Sequence, residues 1–214
     1  NLIEDIEELN NNDLFSKENF NILVLFEQGF GDYLHFYRYL EPLLSLGHKI
    51  TALGANKSVF SLLKYANNSQ LIRFSSKLEN EDVEKFEYKT FTMNIPFLLG
   101  NYKNTPPPPK FNLEKLKNEK KELNKKIKGI LDPKKKNIGI SWKGNKEHIA
   151  DISRSIDIKI FSKIFKNQNC QFFAVDKNLT KRDKNYLKKF KNLVICDELI
   201  ADWADTAMIV LQLD

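Results

Sequence analysis

Glu27-Gln28-Gly29-Phe30-Gly31-Asp32 sets two carboxylates, an amide and two glycines directly after the apolar run NILVLF at 21–26. A continuous apolar run reads as a strand buried on both faces. Gly29 and Gly31 are expected to let the chain turn tightly out of it, into the crevice above a parallel sheet. Asp32 then falls in the first turn of the following helix, where the helix dipole favours negative charge by roughly 0.3–1 kcal/mol. Two readings stay open for it: a general base that accepts a hydroxyl proton, or a cap that satisfies the helix N-terminus. His35, about one turn further on, is expected to be packed or solvated. The glycines do not form a dinucleotide fingerprint, since position 34 is leucine and the second strand, KITALG, ends without an acidic residue. There is no Walker A sequence.

A second concentration of chemistry follows another apolar run, NIGISW at 137–142. Lys143, Asn145, His148, Asp151, Arg154 and Ser155 lie in the segment over its carboxyl end, where a cation could neutralise a leaving diphosphate. A solvated basic loop is the competing reading. His148 and Asp151 resemble half of a metal site, but two ligands without a third are weak, and no metal or resident cofactor is expected.

These two loops need elements to hold them. Strand–helix alternation runs through strands at 21–26, 48–54, 70–75 and about 89–92, with helices over 34–46 and 57–66. It resumes with strands at 137–142, 170–175 and 192–196 and helices at 158–167, 180–190 and 202–212. This pattern predicts an α/β chain of two Rossmann-like domains with parallel sheets. Residues 1–20 read as a lead-in from a missing upstream region, 21–104 as a first domain, and 105–136 as a connector made of the proline run TPPPPK and a charged helix (111–131). Residues 137–214 read as an incomplete second domain.

The 214 residues are 42% hydrophobic and 29% charged, which excludes a disordered tail, and no stretch of about 18 apolar residues exists to span a bilayer. Cys170 and Cys196 fit no zinc spacing and read as core positions, so a reducing cytoplasm is the default. Residues 1–105 hold 10 Lys+Arg and 14 Asp+Glu, whereas residues 106–214 hold 24 and 14. That basic half suits an anionic ligand, or reflects a Lys-rich composition bias. The helix 111–131 lacks the Arg and interleaved aromatics of a nucleic-acid surface, so nucleic acid is not an expected partner.

The run ILVLFEQGFGDYLHFYRYLEPLLSLGHKI resembles the start of the glycosyltransferase-type domain that follows tetratricopeptide repeats in many bacterial proteins, a relative of the heptosyltransferase family (family 9). MNIPFLLG (93–100), IGISWKGNKEHIADISRSI (138–156) and DWADTAMIVLQLD (202–214) resemble three further segments of that family. The resemblance implies a two-domain GT-B fold and sugar transfer from a nucleotide-sugar to an acceptor hydroxyl. The acceptor would lie beside Glu27, Gln28, Gly29, Gly31 and His35, with Asp32 as general base. The donor would lie beside Trp142, Lys143, Gly144, Asn145, Arg154 and Ser155. It also implies upstream tetratricopeptide repeats and a cytoplasmic protein, peripheral at most to the inner membrane. A non-catalytic module that binds glycan or protein is the alternative. Asp176 stands where relatives carry Leu-Gln, and the family's main donor segment would begin after Asp214, so the sequence as it stands is expected to be inactive.

Overall fold

The computed structural model describes residues 3–16, 18–27, 29–54, 56–100, 105–144, 151–177 and 179–214. The chain divides into two compact units, 1–113 and 114–214. Both are α/β with all-parallel sheets.

The first unit has strands β1 (Glu7–Glu8), β2 (Asn21–Phe26), β3 (Lys49–Gly54), β4 (Ile72–Ser75) and β5 (Tyr88–Phe91), in the order β1-β5-β2-β3-β4. Its helices are α1 (Asn11–Leu14), α2 (Phe30–Phe36), α3 (Leu40–Ser45), α4 (Lys57–Leu63), α5 (Asn80–Val83) and α6 (Ile95–Leu98). Central β2 explains its own sequence: Ile22, Leu23 and Val24 are completely buried, because neighbours flank the strand on both edges and helices cover both faces.

The opening segment is not a lead-in. β1 adds an edge strand along β5, and Ile6, Leu9 and Leu14 are buried. Lys89, buried on β5, donates from Nζ to the carbonyls of Ile3 and Glu4 at 2.9 and 3.3 Å. His48 ties the same segment from its other end. Its Nδ1 accepts from the Phe20 N–H at 3.3 Å, which leaves Nε2–H to donate to the Leu14 carbonyl at 3.0 Å. The acidic pattern LIEDIEEL suggested a helix, but sheet pairing overrides that local preference.

The proline run is laid against the first unit. Arg38 Nη1 donates to the Pro106 carbonyl at 3.1 Å, and Asn67 and Lys110 exchange hydrogen bonds of 2.7 and 2.9 Å. The charged helix is likewise no free connector, and it is two helices, α7 (Leu113–Glu119) and α8 (Lys121–Ile130). At the break, Lys120 Nζ lies 2.7 Å from Asp205 and 3.4 Å from Asp202. Ile127, fully buried, joins Phe173, Cys196, Ile200 and Ile209 in one core layer.

The second unit continues with β6 (Lys136–Ile140), α9 (Asp151–Arg154), α10 (Ile158–Phe161), a 3-10 turn over Ser162–Lys166, β7 (Cys170–Ala174), α11 (Lys181–Leu187), β8 (Leu193–Ile195) and α12 (Trp203–Val210). Its strand order is β6-β7-β8. Successive residues of β7 serve opposite faces. Phe172 packs with Ile140, Trp142, Phe165 and Leu187, and Phe173 packs with the α8 and α12 layer. An Asp202–Asp205 capping box starts α12. At the far end the Asp214 N–H donates to the Asn137 carbonyl at 2.9 Å, along the edge of β6 away from β7.

Candidate functional site

In the first sheet β2 leads to β3 on one side, while β5 lies on its other side. This reversal of strand order falls at the carboxyl ends of β2 and β5, where open parallel sheets usually form their ligand crevice. Two loops border it: the one from Glu27 into α2, and the one from Thr92 into α6, which exposes Met93 and Asn94.

Asp32 sits at the third position of α2, half-buried. Its Oδ2 accepts from the Gly29 N–H at 3.0 Å, so this carboxylate forms part of the helix cap. Gly29 has φ −69° and ψ 168°, extended backbone open to any residue, so the turn does not rest on glycine's left-handed freedom. A Cβ on Gly31 would meet nothing within 4 Å, which leaves the helix start bare above that residue. Glu27 is exposed, and the slight burial of its carboxyl raises its pKa. His35 is exposed, with its ring edge-on to Phe36 at 5.0 Å. Gln28 lies outside the described residues.

Sequence reasoning missed the residue that fixes this loop. Tyr33 is 3% exposed, its hydroxyl donates to the Phe26 carbonyl at 2.8 Å, and its ring lies 4.8 Å from that of Phe26. It thereby clamps the first turn of α2 to the end of β2. Gly54, at the end of β3, makes room: a Cβ there would sit 2.5 Å from the Tyr33 hydroxyl oxygen. The available signal was a glycine ending the second strand opposite an aromatic in the first helical turn.

In the second unit, the carboxyl ends of β6 and β7 gather a polar cluster. Ser141 Oγ donates to Asp176 Oδ1, and Lys143 Nζ is ion-paired with Asp183 Oδ2. Asp183 is 4% exposed at the start of α11. Burial pushes its carboxyl up, but hydrogen bonds from Lys143 and Thr180 outweigh that and hold it below its ordinary pKa. Asp176 shows the opposite balance. Burial outweighs its bonds from Ser141 and the Trp142 main chain, so its pKa is raised, and its Oδ2 is buried with no hydrogen-bond partner among the described residues. Its place directly after an apolar strand was the signal for including it.

Beside this cluster Ser155 Oγ accepts from the Gly144 N–H at 2.9 Å and donates to Asp151 Oδ1 at 2.6 Å. A Cβ on Gly144 would stand 2.9 Å from that same Asp151 oxygen, so only glycine fits without moving the carboxylate. Trp142 is a core residue, 3% exposed and stacked on Phe161, and its indole N–H has no partner among the described residues. Arg154 is exposed. Trp142, Lys143, Gly144 and Ser155 therefore come together at the end of β6, whereas Asn145 and His148 lie outside the described residues. Among the described residues no group of three or more His, Cys, Asp or Glu is placed to hold a metal ion, and no helix is long and apolar enough to cross a membrane.

Comparison with protein-family models, curated proteins and solved structures finds no match.

Proposed function

We propose that the chain belongs to a GT-B-type glycosyltransferase that moves a sugar from a nucleotide-sugar to an acceptor hydroxyl. The observation that carries the reading is the position of Glu27–Asp32 at the strand-order reversal of the first sheet. The acceptor binds at this crevice. Its oxygen forms a bond to the sugar's anomeric carbon, the bond from that carbon to the diphosphate breaks, and the acceptor proton passes to Asp32. The donor binds over the carboxyl ends of β6 and β7, where exposed Arg154 supplies positive charge and the Ser155–Gly144 bond shapes the loop. No resident metal or cofactor is required. The protein works in the cytoplasm, attached to tetratricopeptide repeats.

A second reading is favoured by two contacts. Asp32 is engaged at Gly29 and Lys143 at Asp183, as in a module that binds glycan or protein without catalysis. Substitution separates the two. Asp32→Asn keeps an acceptor oxygen for the Gly29 N–H, so stability should hold, while transfer by the full-length protein should fall roughly 100- to 10,000-fold. Asp32→Ala should lose the rate and, in addition, about 0.5–2 kcal/mol of stability. An Asp32→Asn protein that transfers sugar at the original rate contradicts the general-base role.

A further inference from the structure

The outer face of α10 and α11 carries a charge and an apolar surface that sugar transfer does not use. Residues 156–191 contain ten Lys+Arg and three Asp. Asp183 is committed to Lys143 and Asp176 to Ser141, which leaves Asp157 as the one exposed carboxylate of this stretch. Lys159, Lys163, Lys166, Arg182, Lys188 and Lys189 are all exposed, and none has an ion-pair partner among the described residues. Between the lysines stand three isoleucines spaced by four: Ile156, Ile160 and Ile164 are 46%, 62% and 39% exposed. None of the three belongs to the hydrophobic cluster beneath these helices.

The two helices form one surface. Ser162 Oγ and the Tyr186 hydroxyl are 3.0 Å apart, and between the helices runs a groove of about 280 Å³ lined by Lys159, Arg182, Tyr186 and Lys189. Cations on long flexible stems around exposed aliphatic side chains match a bilayer interface, where lysines meet phosphates and the isoleucines enter the acyl boundary. A nucleic-acid surface would instead need free aromatics for stacking. Tyr186 is held by Ser162 and covered by Lys189 Nζ at 5.2 Å from its ring centroid.

We propose that this face docks the protein on an anionic phospholipid surface. The proposal stands apart from sugar transfer, because its readout involves neither donor nor acceptor. The test is co-sedimentation of the chain with vesicles of phosphatidylglycerol and phosphatidylcholine, or of phosphatidylcholine alone, at low and high salt. Partitioning onto the anionic vesicles at low salt is expected, with loss on neutral vesicles and in high salt. Arg182→Glu with Lys189→Glu should weaken partitioning by at least about five-fold per cation removed. Ile160→Asp with Ile164→Asp should weaken it about ten-fold or more with the circular dichroism spectrum unchanged. Lys126→Glu, on the exposed side of α8, should leave it unaltered. Absence of binding at low salt overturns the proposal. So does binding that survives the isoleucine substitutions, which would mark a purely electrostatic face for an acidic protein or nucleic acid.

Discussion

Asp32, Tyr33 and Gly54 act together at the first-unit crevice. The capping bond from Gly29 to Asp32 fixes the start of α2, and Tyr33 beneath it fixes that turn to β2. Gly54→Ala puts a methyl group 2.5 Å from the Tyr33 hydroxyl oxygen, so Tyr33 must move or its bond to Phe26 must break. The expected cost is about 1–3 kcal/mol in a urea titration, with loss of Tyr33 protection near the loop. In the second unit the paired carboxylates respond to pH in opposite senses. Asp183 has a depressed folded-state pKa, so its stabilisation is present above the unfolded value of about 3.9 and is lost as pH falls through the folded value. Asp183→Asn should therefore cost about 1–2 kcal/mol at neutral pH and progressively less in acid, measured by urea melts across that range. Asp176, raised by burial, works against the fold as pH climbs through its folded value.

At the scale of elements, the charged helix pair α7–α8 is the sharpest test of what is core. Ile127→Ala should cost about 2–5 kcal/mol, as expected for a residue completely enclosed by Phe173, Cys196, Ile200 and Ile209. A free connecting helix would lose a few tenths. Here the sequence was only partly legible. NILVLF and CQFFA announced buried strands because a strand covered on both faces must be largely apolar, while KITALG alternates outward with buried positions; β2, β3 and β7 follow the expected strands within a residue. Glu7–Glu8 could not be read that way. An edge strand of two residues carries no alternation, and its pairing is set by distant Tyr88–Lys89. Leu113, Leu116, Leu123 and Ile127 make a thin apolar stripe along 111–131, but a thin stripe does not say what it packs against, and Leu113 ends up exposed. At the site, glycines and Asp32 stood out by type. Tyr33 and Gly54 did not, because their roles come from a contact between segments far apart in sequence, and Asp176 stood out only as a departure from the family pattern.

Over the whole chain, each unit has its own parallel sheet and its own buried residues, and each brings a polar loop system to the carboxyl end of its strands. The division falls at Leu113–Glu114, so the prolines go with the first unit and the lysine-rich helices with the second. The charge follows this division. Residues 114–214 hold 23 Lys+Arg and 14 Asp+Glu, a balance suited to a ligand that carries phosphates. Whether the second unit takes a nucleotide-sugar is decided by calorimetric titration of the full-length protein with uridine, guanosine, adenosine and cytidine sugar nucleotides. Saturable binding of at least one of them is expected, weakened by Arg154→Ala and unchanged by Asp32→Asn. Flat titrations with all four would contradict it.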